Sequence, residues 1–238
     1  DTTVLKQGAI SWTMNPTLNY GNVQAVRVQD LMVKEIVEAN KWERPIYFAV
    51  TCSEDSKIGL SDYLRMEGMA FRLVPEKRRA NDEFIEPNVL QANLKEAIGY
   101  SRDYQPGFKF RGLNDPNIFF DDNHKRMVQN YRNAFLRLTL YYIGQGKNDL
   151  AVSTLDAMDE KLPNKLIAMD YGLLYEISNL YLRAGAKDKF NKFSEEVEKQ
   201  ALAKLEKDPS DVQSYYNPYR ILIDIYEAQG RNDKLLEV

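Results

Sequence analysis

The sequence predicts a mainly helical α+β protein: a small N-terminal α/β unit over residues 1–112, then a tetratricopeptide-like α-solenoid over residues 113–238. Three observations predict it. Apolar spacing before residue 75 switches between strand-like and helix-like periods. A stretch rich in proline, glycine and aromatic residues follows near residue 110. After His124 a helix–turn–helix pattern recurs, with turn glycines Gly146, Gly185 and Gly230 placed 39 and 45 residues apart.

In order along the chain, "GAISWTM" (8–14) has the β-branched and aromatic content of a short strand, and "NPTLNYGN" (15–22) supplies turn formers. Val28, Leu31, Met32, Ile36 and Val37 fall on one stripe of a helix expected to end near Trp42, before Pro45. "PIYFAVT" (45–51) reads as a buried strand, "GLSDYLRMEG" (59–68) as a short helix with Ser61 as N-cap, and "MAFRLV" (69–74) as a strand before Pro75. "NVLQANLKEAIGY" (88–100) reads as one helix, and "QPGFKFRGLNDPN" (105–117) as one loop at the boundary.

Each helical block carries a tyrosine ahead of its glycine: Tyr142, Tyr181 and Tyr226. In the first block Tyr131, Phe135, Leu138 and Tyr142 make one stripe that Ala134, Leu136 and Leu140 widen, as expected of a helix sandwiched between neighbours. Pro163, Pro209 and Pro218 are expected between helices. The glycine spacing is looser than the about 34 residues of an ideal tetratricopeptide repeat.

Charge and composition exclude several functions. The 28% of charged residues nearly cancel to a net charge of -3, so the chain lacks the global positive field of a non-specific nucleic-acid binder. No apolar run approaches the roughly 18 residues of a membrane helix. Cys52, the single cysteine, cannot close an intrachain disulfide and leaves the redox compartment unsettled. The chain starts at Asp1 without an initiator methionine, which reads as the interior of a longer protein.

Catalytic and metal chemistry find little support. His124 is the only imidazole, and in "FFDDNHKRM" Asp121, Asp122 or Asn123 can cap the helix that follows, so its expected role is at a helix start. One histidine and one remote cysteine do not make a zinc cluster. Glu54 and Asp55 oppose a reactive thiolate at Cys52, which is expected to pack as a small hydrophobe. No catalytic residue, metal ligand or cofactor is therefore assigned.

The most unusual segment is "YSRDYQPGFKFRGLNDPNIFFDD" (100–122). Tyr104, Phe108, Phe110, Phe119 and Phe120 interleave there with Arg102, Lys109, Arg111, Asn114 and Asp115, a mix that can stack on a sugar ring and bond its hydroxyls. The competing expectation is a linker pinned by its aromatic rings.

"VQDLMVKEIVEANKWERPIYFAVT", "GLSDYLRMEGMAFRLVP" and "YQPGFKFRGLNDPNIFFDDNHKRMVQNYRNAFLRL" together resemble the soluble C-terminal region of large bacterial multi-spanning membrane proteins of the protein O-mannosyltransferase-like group, common in Bacteroidetes. The resemblance covers most of residues 23–145. It implies a parent that transfers sugar from a lipid-linked donor, with a catalytic acidic residue in a portion that nothing here matches. The expectation is a non-catalytic accessory domain on the extracytoplasmic, periplasmic side of the inner membrane, binding acceptor protein, peptide or glycan. Candidate contacts are Arg132, Tyr142 and Tyr181 on the first helices and Arg111, Asn114 and Asp115 in the aromatic loop. The alternative is a free-standing tetratricopeptide-type adaptor that binds peptides.

Overall fold

Short β-branched and aromatic segments separated by glycine and asparagine build the first part of the chain, and long amphipathic helices build the rest. A computed structural model describes residues 2–4, 10–80, 82–95, 107–210 and 214–236. The chain divides into two compact units, Asp1–Phe108 and Lys109–Val238. The mainly helical α+β class expected from the sequence is the one observed, with the helical part C-terminal.

In the first unit, β1 (Thr2–Val4) pairs with β2 (Ser11–Thr13), and β3 (Leu18–Tyr20) with β4 (Val23–Ala25). The second pair is a hairpin turning on Gly21 and Asn22, with Gly21 at φ 59, which glycine tolerates without steric cost. The sequence reading took this segment for turns alone. Strands β5 (Tyr47–Ala49), β6 (Leu64–Met66) and β7 (Ala70–Leu73) form a sheet in the order β5-β7-β6, antiparallel throughout.

Two expectations fail here. Residues 59–68 are not a helix capped by Ser61; a 3-10 turn at Ser61–Tyr63 leads directly into β6. The Ser61 hydroxyl instead bonds the Glu54 carboxylate, while Tyr63, Leu64 and Met66 are buried. The helix α1 (Val28–Asn40) forms as expected, but it presents a different face to the core. Val37 is buried with Val33 packed beside it, whereas Val28, Leu31, Met32 and Ile36 are exposed. The cause lies at its first turn. Asp30, 1% exposed, accepts from Thr17 Oγ1 at 2.6 Å, Arg27 Nε at 2.9 Å and Arg27 Nη2 at 2.8 Å, which turns the Asp30–Val33–Val37 face inward.

That face meets Ile10, Trp12, Phe48, Leu60 and Leu73. The Tyr63 hydroxyl donates to the Ser11 carbonyl at 2.9 Å and ties β2 to the three-stranded sheet. Gly59 is required beside it: at φ +83, an added Cβ would sit 2.4 Å from the Thr13 carbonyl oxygen. Helix α2 (Pro87–Leu94) covers only the first half of the helix expected at 88–100; residues 96–100 lie outside the described residues. The Asn93 side chain donates to the Glu67 carbonyl at 2.7 Å and fastens α2 to the β6–β7 turn.

The second unit is a run of helical hairpins: α3 (Asp122–Gly144) on α4 (Asn148–Lys161), α5 (Tyr171–Arg183) on α6 (Lys187–Lys207), and α7 (Pro218–Gln229) on α8 (Asn232–Leu235). Successive hairpins stack, with α5 against both α3 and α4, and α7 against α6. The tyrosine–glycine spacing is the device that ends each first helix. The amide of Lys147, Ala186 or Arg231 donates at 2.9 Å to the carbonyl of Tyr142, Tyr181 or Tyr226. Gly146, Gly185 and Gly230 take the left-handed φ of 67, 81 and 73 that this closure needs. Pro163 and Pro209 lie between helices as expected, but Pro218 is the first residue of α7, where its missing N–H costs nothing.

The same tyrosines couple neighbouring hairpins. Tyr181 donates to Asp156 Oδ1 of α4 at 2.9 Å, and Lys189 reaches the same oxygen at 2.9 Å. One hairpin later, Tyr226 donates to Glu198 of α6 at 2.9 Å, and Arg231 grips that carboxylate at 2.7 and 3.1 Å. A carboxylate on one hairpin is thus held by a tyrosine and a cation from the next.

Candidate functional site

Three of the six candidate contacts are framework. Tyr142 and Tyr181 are buried in the hairpin core. Burial, then the Asp156 carboxylate, push the Tyr181 hydroxyl well above its ordinary pKa, so it stays a neutral donor. Arg132 is 1% exposed, and its Nη2 donates to the carbonyls of Leu162 at 3.1 Å and Ile167 at 2.5 Å. It clamps the α4–α5 connection and reaches no ligand surface. The sequence reading chose these residues as contacts from their type and their position on the first helices, although Tyr142 also stands on the apolar stripe expected to lie between neighbours. Here the first helices are covered on several sides, and those faces are interior.

The aromatic loop keeps Arg111 and Asn114 exposed and Asp115 half-buried. Phe110 anchors it, with its ring 5.3 Å from Tyr131 and 5.9 Å from Phe135, and with Lys161 Nζ 5.4 Å above it. A cavity of about 450 Å³ opens beside this anchor, lined by Arg111, Phe120, His124, Met127 and Tyr131 among others. Asn114 and Asp115 are not in its lining. Asp115 closes a turn, accepting from the Asn117 amide at 2.9 Å and its side chain at 3.0 Å. Asp121 caps α3, accepting from His124 N at 2.8 Å and approaching His124 Nδ1 at 2.7 Å; these bonds hold its carboxyl below the usual range. Arg102 and Tyr104, the other polar–aromatic pair named for this loop, lie outside the described residues.

A second cavity, about 440 Å³, lies between the first helices of the last two hairpins, and the sequence reading did not single it out. Helix α5 presents Tyr175 and Glu176, the segment before α7 presents Tyr215 and Tyr216, and α7 presents Arg220 and Asp224. Local chemistry fixes this geometry. Asn217 caps α7, accepting from Tyr219 N at 2.9 Å, and Pro218 starts the helix. The Tyr171 hydroxyl donates to the Tyr216 carbonyl at 2.6 Å and fastens the segment to α5. Gly172 lets the Tyr216 ring lie against α5: a Cβ there would be 2.7 Å from the ring. Tyr215 stands edge to face with Tyr216, centroids 4.8 Å apart, and is 89% exposed.

Electrostatically this cavity is mixed. Tyr175 donates to Asp224 Oδ2 at 2.6 Å; burial first, and this bond second, push its hydroxyl up to about 12. Glu176 adds a second carboxylate and Arg220 a cation. Donors, acceptors and an exposed ring therefore converge on one opening, which suits recognition of a ligand by orientation and hydrogen bonding. The available signal was "SYYNPYR" (214–220), three tyrosines in five positions around a helix start.

Residues 3–92 match the family model described as TMEM260-associated domain 2. The matched stretch runs from β1 into α2, so it lies in the first unit and includes none of the helical hairpins. No curated protein and no solved structure matches the chain. The described residues hold no group of three or more histidine, cysteine or acidic side chains placed to share a metal ion, and no helix among them is long and apolar enough to cross a membrane.

Proposed function

We propose that the chain is a non-catalytic accessory domain of a larger, glycosyltransferase-like membrane protein, and that it holds acceptor protein or glycan on its helical unit. The α5–α7 cavity carries this reading. An exposed tyrosine, two carboxylates and an arginine around one opening can hold a ligand by stacking and hydrogen bonding. The match of residues 3–92 to a TMEM260-associated domain supports the larger context, together with the resemblance of residues 23–145 to the protein O-mannosyltransferase-like group.

In this reading the chain works at the extracytoplasmic, periplasmic face of the inner membrane. Protein O-mannosylation is the activity to which it contributes, and it supplies position to that reaction. The bond-making residues belong to another part of the larger protein.

The test is glycosyl transfer by that larger protein carrying Tyr215→Ala with Arg220→Ala. Both residues line the cavity and are exposed, so abundance and membrane insertion should be unchanged while transfer to acceptor falls at least several-fold. Transfer at the unsubstituted level, with the same abundance, would overturn the proposal.

A further inference from the structure

Building on that reading of the chain as an acceptor- or glycan-holding module, we infer that the α5–α7 cavity is a saccharide subsite built for an uncharged pyranose ring. The lining decides among ligand classes. A phosphate or acidic peptide would face Glu176 and Asp224 with Arg220 as the only cation among the described residues of the lining. A lysine-rich peptide would suit the carboxylates but would bring its charge against Arg220. A wholly apolar ligand would strip water from three charged groups and return no hydrogen bonds.

An uncharged sugar meets every part of the lining. Its C–H face is apolar enough to lie on the exposed ring of Tyr215, which Tyr216 braces edge to face at 4.8 Å. Its hydroxyls both donate and accept, so they can give to carboxylates and receive from a guanidinium at the same time. Asp224 is preset for this: Tyr175 occupies Oδ2 at 2.6 Å, fixing the carboxylate and leaving Oδ1 to accept from a ligand hydroxyl. Arg220, exposed one turn earlier on α7, offers its planar set of donors. The volume of about 440 Å³ is at the small end of ligand pockets, enough for one or two sugar rings and too small to enclose a long chain.

The experiment is saturation-transfer NMR on the intact chain. The probes are methyl α-glucopyranoside, methyl α-mannopyranoside and N-acetylglucosamine as uncharged rings, glucuronate as a charged one, and a hexalysine peptide. The expected result is saturable transfer to at least one uncharged ring, little to glucuronate, and at least tenfold weaker binding in Tyr215→Ala and in Asp224→Asn with the circular dichroism spectrum unchanged. Saccharide binding that survives both substitutions would put the sugar elsewhere and overturn the inference. Binding of hexalysine alone would overturn the ligand class while leaving the accessory-module reading standing. Binding of no probe would overturn the saccharide subsite, and the transfer assay with Tyr215→Ala and Arg220→Ala would still decide the broader reading separately.

Discussion

Replacing Arg132 by methionine tests whether this residue is a structural clamp. Its Nη2 serves two carbonyls, Leu162 at 3.1 Å and Ile167 at 2.5 Å, on residues that are themselves buried. Losing hydrogen bonds from a charged donor costs about 1.5–3 kcal/mol each, and stranded buried acceptors add to that. An opposing effect reduces the total. Burial lowers the guanidinium pKa to about 10, with the Asp159 charge acting the other way, so the folded protein already carries a desolvation cost that methionine would not.

The balance is a loss of about 2–3 kcal/mol. For a unit of this size that lowers the thermal midpoint by roughly 7–11 °C. Helical circular dichroism during heating measures it. Arg132→Lys should fall between the two, because a compact ammonium keeps the charge but not the planar fork. A methionine variant that melts within about 1 °C of the parent would refute the clamp.

Other outcomes follow from the same packing. Tyr181→Phe should lower stability by about 1 kcal/mol in urea unfolding, since it removes only the bond to Asp156 and keeps the ring in place. Burial raises the Glu198 carboxyl, but the bonds from Arg231 and Tyr226 outweigh it and hold its pKa below the ordinary value. A depressed carboxyl contributes stability that is present above its unfolded pKa and is lost as pH falls through the folded one, so the helical unit should weaken below about pH 4.5. Glu198→Gln should flatten that part of an acid titration followed by circular dichroism. Asp30→Ala should destabilise the first unit by leaving Arg27 and Thr17 without their shared partner, an effect limited by the access of water to the part-exposed Arg27 side chain. Both tryptophans, Trp12 and Trp42, lie in the first unit, so tryptophan fluorescence during unfolding reports that loss without contribution from the helical hairpins of the second.

The helical unit was legible because its signal is local and repeated. A tyrosine four positions before a glycine encodes a helix end, and Gly146, Gly185 and Gly230 close three helices in the same way. Strands β5 and β7 were legible for a related reason, as short apolar runs stopped by Pro45 and Pro75. Other features depended on partners distant in sequence. Hydrophobic spacing gave α1 its helix, but the choice of buried face was made by Asp30 with Thr17, thirteen residues earlier. Ser61 carries a helix-capping side chain, yet the pairing of Leu64–Met66 with β7 took that segment into the sheet.

The candidate site divides in the same way. Arg111 does line a cavity, while Tyr142, Tyr181 and Arg132 are interior because neighbouring helices of stacked hairpins cover faces that a single helix would leave open. The α5–α7 cavity depends on a Tyr171–Tyr216 bond spanning 45 residues, which spacing within either helix does not encode.

The most direct measurement is the size and membrane attachment of the native protein in the cells that make it, followed with an antibody against this chain. The account predicts a product far larger than 27.6 kDa that stays with membranes through carbonate extraction. A soluble product near that mass would contradict it and favour the free-standing peptide-binding adaptor.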